Sequence, residues 1–223
     1  MARPEDPERR RRLIAAAAAL FRRYGYERTT AREIARAVGV QSGSIFYHFA
    51  SKEDLLVAVM LEGMRQFAAA ARGPLAAAAT PLERLRALFL GHLTALHGGG
   101  DEQAVVIQEW RSLAARPRRR VVGLRDEVEA MWREVLDEAA AARLLSGDLR
   151  LLRLAMLGTL NWTLQWYQRD GPLGIRELAD GLLAVFVPAA ARAPARPACT
   201  RVSPAAPRPG TVRAAAGLSR PTR

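Results

Sequence analysis

The chain has 223 residues, half of them hydrophobic, with a formal net charge of +12 and a single cysteine, Cys199. That length holds a small head and a larger body with a sizeable core, but not several large domains. One cysteine excludes an internal disulfide and a cysteine metal cluster, and no apolar run reaches the length of a membrane span.

The positive charge is unevenly placed. Residues 189–223 hold seven arginines and no acid, which leaves +5 for residues 1–188. This Pro/Ala/Arg-rich tail lacks apolar periodicity, so disorder is expected of it. It reads either as a solvated tail or as a source of salt-sensitive, non-specific DNA affinity. The net charge therefore says little about the N-terminal residues.

The chain starts Arg-rich and then Ala-rich, without the apolar region of a signal peptide. The alanine run at residues 15–19 reads as a first helix, and a cytoplasmic protein is expected. Thr30 opens the next helix, with Glu33 three residues on to complete a capping box. Ile34, Ala35 and Val38 fall on one face, and Gly39 suits the left-handed conformation that stops a helix. Gln41, Ser42, Gly43 and Ser44 open a second short helix whose Ile45 and Phe49 point inward. Ser51 and Asp54 form a further capping box and start a long helix, with Lys52 in its first turn. Two short helices joined by a tight turn are the pattern of a helix-turn-helix that reads DNA through its second helix.

The remaining pattern is helical throughout, with no strand signal and no internal repeat. A helix is expected over residues 52–72, followed by a linker at 73–79. Thr80, Pro81 and Glu83 mark a strong helix start, and that helix should end near Gly98. Asp101 is expected to cap a helix running to about Ala115, and Pro117 to reopen a long one through Ala142. Ser146, Gly147 and Asp148 break it, and two helices at about 149–169 and 175–187 close the chain. The first is apolar on more than one face through Leu152, Leu154, Met156, Leu157, Leu160, Leu164 and Trp166. Ile175, Leu178, Leu182, Leu183 and Phe186 give the second a matching stripe. A second copy of the chain would cover these faces, so residues 149–187 are the expected homodimer interface.

The stretch from about Arg11 through Met60 resembles the N-terminal domain of the TetR family of transcriptional repressors. Ala15, Ala18, Leu20, Phe21, Gly25 and Tyr26 stand at that family's spacings, and YHF-x-SKEDLL at residues 47–56 is especially specific. The resemblance implies an all-α protein: a helix-turn-helix head at 1–56, a helical effector-binding and dimerisation body at 57–188, and the tail at 189–223. It implies C-terminal helices paired in a four-helix bundle and a palindromic operator on double-stranded DNA. Two stretches of the C-terminal half, EWRSLAARPRRRVVGLRDEVEAMWREVL and GTLNWTLQWYQRDGPLGIRELADGL, resemble repressors of fatty-acid and sterol catabolism that respond to acyl-CoA esters.

The DNA contacts expected on this footing start with Gln41, Ser42 and Ser44 at base edges, Gln being able to pair bidentately with adenine. Arg32 corresponds to a base-reading position of the family. Thr30, Tyr47, His48 and Lys52 look like phosphate contacts, and Phe46 sits near the DNA by family analogy or in the core. For His48 the plainer reading is an exposed or capping histidine. Effector candidates are Trp110, Met131, Trp132, Asn161, Trp162 and Trp166, since a pocket in a helical body needs aromatic walls with a few polar anchors. For each tryptophan plain core or dimer packing is the favoured reading. Arg116, Arg118, Arg119 and Arg120 either receive the phosphates of a CoA moiety or form a solvated face.

No catalytic constellation stands out: there is no phosphate loop, no Gly-x-Ser-x-Gly, and no metal spacing among His48, His92 and His97. His92 and His97 are explained by the favourable position of a cation at a helix end. No cofactor, metal or membrane partner is expected. The reading is a homodimeric, ligand-responsive repressor released by a small-molecule effector, with an acyl-CoA ester as one candidate. A multidrug or lipophile sensor with a neutral aromatic pocket is the alternative. A helical enzyme with a vestigial head and an architectural DNA protein acting through the tail are the readings from other classes.

Overall fold

The computed structural model describes residues 6–98 and 100–188. Nine helices carry these residues: α1 (Pro7–Tyr24), α2 (Ala31–Val38), α3 (Ile45–His48), α4 (Lys52–Ala77), α5 (Pro81–His97), α6 (Glu102–Gln108), α7 (Ala115–Ala141), α8 (Leu149–Trp162) and α9 (Ile175–Phe186). No strand occurs among them. The expected tail and Cys199 lie outside the described residues.

Capping sets the helix starts. Thr30 Oγ1 accepts from the Glu33 N–H at 3.2 Å, and Glu33 Oε2 accepts from the Thr30 N–H at 2.8 Å. Thr80 and Glu83 repeat this box at α5, with Pro81 at its first position. Each such cap satisfies donors that would otherwise be orphaned, a stabilisation of about 1 kcal/mol. Gly39 ends α2 at φ 76°, where its N–H donates to the Arg36 carbonyl and the Val40 N–H to that of Ala35. Ser51 accepts from the Asp54 N–H at 3.0 Å, but the expected reciprocal bond is missing. The Asp54 carboxylate turns instead to the Ser51 hydroxyl and to Arg120.

Three helix ends and one cap differ from expectation, where side-chain contacts override the local signal. The expected linker at 73–79 is largely the end of α4, which continues through Gly73 and Pro74 to Ala77. Ala71 and Leu75 are buried against α5 and hold that last turn in place. The helix after Asp101 stops at Gln108, because Glu109 is engaged by the Tyr26 N–H and the Ser112 hydroxyl and the chain tightens into a 3₁₀ turn at Trp110–Ser112. Asp101 itself caps nothing and pairs with Arg22 of α1. Finally, α8 ends at Trp162 rather than near 169: the Thr163 hydroxyl donates to the Leu160 carbonyl at 2.6 Å and the chain tightens again.

Two buried clusters form the core, and both are threaded by α4. Residues of α4 up to Met64 pack with α1, α2, α3, Val105, Leu113 and Val121. From Phe67 onward α4 packs with α5, α7, α8 and α9. The head core is thus closed in part by α6, Leu113 and the start of α7. At Gly63 the α4 backbone meets α6 so closely that an added Cβ would stand 2.7 Å from the Glu102 carbonyl group.

The α9 stripe meets a different fate from the expected one. Leu178 and Leu183 are buried, and Ile175, Leu182 and Phe186 pack partly against the same core, so the stripe serves its own body. On α8, Met156 and Leu160 turn inward while Leu151, Leu154 and Trp162 stay exposed along one side.

Candidate nucleic-acid interface

The head presents a short polar turn and an exposed aromatic step on a fully packed base. Ser42–Ser44 form a 3₁₀ turn and Ile45–His48 a single α-turn, so the second element of the motif is shorter than a full helix. Ile45 and Phe49 are buried beneath it. Phe46 and Tyr47 are 55% and 49% exposed, although a burial-driven fold has every reason to hide them. Gln41 is exposed and Ser42 and Ser44 are half-buried on the same turn, while Arg32 projects from α2 into solvent. Phe46 therefore stands outside the core, which removes the core alternative considered for it.

Two of the expected phosphate contacts, Thr30 and Lys52, already have hydrogen-bond partners within the protein. Thr30 is spent on its cap, its hydroxyl also donating to Glu33 at 2.8 Å. Lys52 donates to the carbonyls of Tyr26 and Thr29 at 3.0 and 3.1 Å, and its ammonium lies 4.1 Å from the centre of the Tyr26 ring. That ties the loop after α1 to the start of α4 and leaves one of three ammonium protons for another acceptor. His48 packs edge-on against Tyr47 at 5.2 Å, and its Nδ1 is buried with no partner among the described residues.

Four polar contacts fasten the head to the segment that opens the body. Arg22 pairs with Asp101, and the Tyr26 N–H donates to Glu109 at 3.0 Å. Glu53 accepts from the Ala114 N–H at 3.1 Å, at the N-terminus of α7, and Asp54 binds Arg120 one turn further on. Arg120 is thus committed to the head, and Arg118 donates to the Leu113 carbonyl at 2.6 Å, which leaves Arg116 and Arg119 exposed. The basic cluster is split rather than gathered on one face.

The six effector candidates do not converge on one place. Trp110 lies at the head side, under the guanidinium of Arg125 at 4.9 Å. Trp132 is buried in the body against Phe89 at 6.0 Å and His92 at 6.2 Å. Asn161 meets that group through His92, whose Nε2 lies 2.8 Å from its Oδ1. Met131 is half-buried against the same core. Trp162 and Trp166 are largely exposed. The structure brings together Trp132 and Asn161, and adds His92 and Phe67, with ring centres 5.6 Å apart. The Trp132 Nε1 is buried without an acceptor among the described residues. A buried indole N–H without an acceptor, beside the His92 ring that Asn161 contacts, is the kind of polar group a pocket in an aromatic core needs.

Burial works against the cationic form of both body histidines. His92 is buried, and desolvation pulls its pKa down from 6.5 to about 4, against the Asn161 hydrogen bond that favours the charged form. His97 is half-buried and shifted the same way by desolvation, with its Nε2 2.8 Å from the Thr163 hydroxyl. Sequence spacing offered no sign of the His92–Asn161 pair, since its members are 69 positions apart.

A reading head on a helical body is the plan of a DNA-binding regulator. Residues 13–59 match the family described as bacterial regulatory proteins, tetR family, and residues 78–189 match the tetracyclin repressor-like C-terminal domain. The chain belongs to the TetR family. Over 182 residues it is 31% identical to the HTH-type transcriptional repressor KstR2 of Mycobacterium tuberculosis, covering 80% of this chain and 91% of that protein. The crystal structure of AibR in complex with isovaleryl coenzyme A and operator DNA superposes with a TM-score of 0.73 at 27% identity, over 81% of this chain and 98% of that one. The crystal structure of superantigen PfiT superposes with a TM-score of 0.68 at 43% identity, over 83% of this chain and 100% of that one. No helix among the described residues is long and apolar enough to cross a membrane.

Proposed function

We propose that this chain is a homodimeric repressor rather than an enzyme, acting in the cytoplasm. It reads a palindromic operator through Arg32, Gln41, Ser42 and Ser44, with Phe46, Tyr47 and the backbone around His48 and Lys52 laid along the phosphates. The observation that carries this reading is the exposed Phe46–Tyr47 step beside a polar turn, on a head whose other large apolar residues, Tyr24 apart, are buried or partly buried. An exposed aromatic pair on a packed scaffold is affordable only where a partner covers it.

The dimer is supported by the exposed row of Leu151, Leu154 and Trp162 on α8, joined by Val185 of α9. Two heads fixed at one separation read two half-sites, one helical turn or a multiple of it apart. The effector enters the body beside Trp132, His92 and Asn161. An acyl-CoA ester is the favoured chemistry, because AibR was crystallised with isovaleryl coenzyme A and KstR2 is described as a ketosteroid regulator. Binding there shifts α4 at its Gly63 contact with α6, and the four polar ties pass that shift to the head.

A mobility shift of operator DNA with and without acyl-CoA esters tests the proposal. Release by an ester, and loss of that release in Asn161→Leu with operator affinity intact, are expected. Operator binding indifferent to every thioester would remove the acyl-CoA part.

A further inference from the structure

Between head and body lies a cavity of about 310 Å³ that shares only His48 with the proposed operator contacts and none of its lining with the effector group. Arg10 of α1, His48 of α3, Asp54 and Arg65 of α4, and Arg120 of α7 supply its polar lining. Three guanidinium groups face one carboxylate. Asp54 is already spent on Arg120. Among the described residues Arg65 pairs with Glu62, one turn back on its own helix, at 3.6 Å. Arg10 lies over the Phe49 ring at 5.0 Å and makes no ion pair among the described residues. The Asp6 carboxylate, which senses His48, is occupied as the cap of α1 through the Glu8 and Arg9 N–H groups.

Arg10 is therefore left without an ion pair among the described residues, and Arg65 with a single long one, around a space of small-molecule size. The buried Nδ1 of His48 has no hydrogen-bond partner among the described residues, and in the tautomer that carries its proton it adds a donor. Guanidinium groups and an imidazole lining one cavity suit the oxygens of a tetrahedral dianion, to which arginine donates in forks. We infer that this cavity is a binding site for a phosphate group, held by Arg10, Arg65, Arg120 and His48 across the junction of head and body. The phosphate belongs to a free phosphate or small phosphorylated metabolite, or to the phosphate end of a coenzyme A ester. An occupant bridges α1 and α3 to α7, and so braces the head in one orientation.

Calorimetric titration of the full chain with inorganic phosphate, and separately with coenzyme A, in chloride buffer of fixed ionic strength, tests this site without reference to DNA. Saturable binding of phosphate is expected, weakened at least tenfold by Arg10→Gln and by Arg65→Gln. Arg116→Gln, on the exposed side of α7, leaves it unchanged. Coenzyme A binding tenfold or more tighter than phosphate, and lost in the same two variants, assigns the site to the ester end. Equal affinity assigns it to free phosphate. Absent saturation, or saturation unchanged in both variants, overturns the inference. A melting curve in chloride checks that each variant is folded, and Arg65→Gln decides alone if Arg10→Gln is not. Operator affinity measured without phosphate stays unchanged in Arg65→Gln. A loss there, with phosphate competing against DNA, would show that the cavity receives the operator backbone and would overturn the small-ligand assignment.

Discussion

The head and the body handle their aromatic residues in opposite ways. The head buries Phe21, Tyr26 and Phe49 and holds Phe46 and Tyr47 out to solvent. The body buries Trp132, Phe67 and Phe89 around a histidine and an asparagine, and exposes Trp162 on the side of α8 that its own core does not need. On the proposed function, exposure in the head marks the surface for DNA, exposure in the body the surface for a second copy, and burial of polar groups the interior for a ligand. The same residue types thus carry three tasks, separated by where the backbone puts them.

The largest expected effect probes the buried side of this contrast. Trp132→Ala empties the centre of the body and should cost about 3–5 kcal/mol in denaturant unfolding. Phe46→Ala should leave stability within about 0.5 kcal/mol while weakening operator binding. A stable Trp132→Ala, or an unfolded Phe46→Ala, would break the comparison.

A second test uses acid. His92 titrates near 6.5 when unfolded and at about 4 when folded, because burial penalises its charged form. Above pH 6.5 it is neutral in both states and contributes no pH dependence. As pH falls from 6.5 towards 4 the unfolded chain takes up a proton that the folded chain refuses, so stability drops, in full by on the order of 3 kcal/mol. His97, shifted in the same direction, adds to the same slope. His92→Gln should flatten the decline between these pH values in urea titrations. An unchanged slope would show that the imidazole is not the buried neutral group described.

A smaller effect sharpens the head. Thr30→Ala removes the acceptor of the Glu33 N–H and should cost about 1 kcal/mol of stability. Thr30→Ser should restore it. If the alanine variant binds operator less tightly than this loss explains, Thr30 has a DNA contact beyond its cap.

The head was legible in the sequence because its signals are local. A capping box, a left-handed glycine and an i, i+4 pair are all written within a few residues, and each stands where Thr30, Gly39, Ile45 and Phe49 announce it. The body was legible only as helices. The ends of α4, α6 and α8 were displaced by contacts made far along the chain, by Ala71 against α5, Glu109 against Tyr26 and Thr163 against His97. The same distance explains why the ties of Asp54 and Glu53 to α7 carried no signal. Their carboxylates read as ordinary first-turn acids. Tryptophans on α7 and α8 looked alike in sequence, and only packing separates Trp132 inside from Trp162 outside.

The central claim is that two copies of the exposed head step, held together through α8, read one two-fold DNA site. Selection of a preferred duplex from random sequence by the full chain, followed by titration of that duplex against a scrambled one at fixed salt, tests it most directly. The selected site is predicted to be a palindrome bound at least about 10³-fold more tightly than the scrambled duplex. Leu154→Arg, which charges the exposed α8 row, is predicted to yield monomers and to abolish that preference. Equal affinity for both duplexes, or a full preference retained by monomeric Leu154→Arg, would contradict the account.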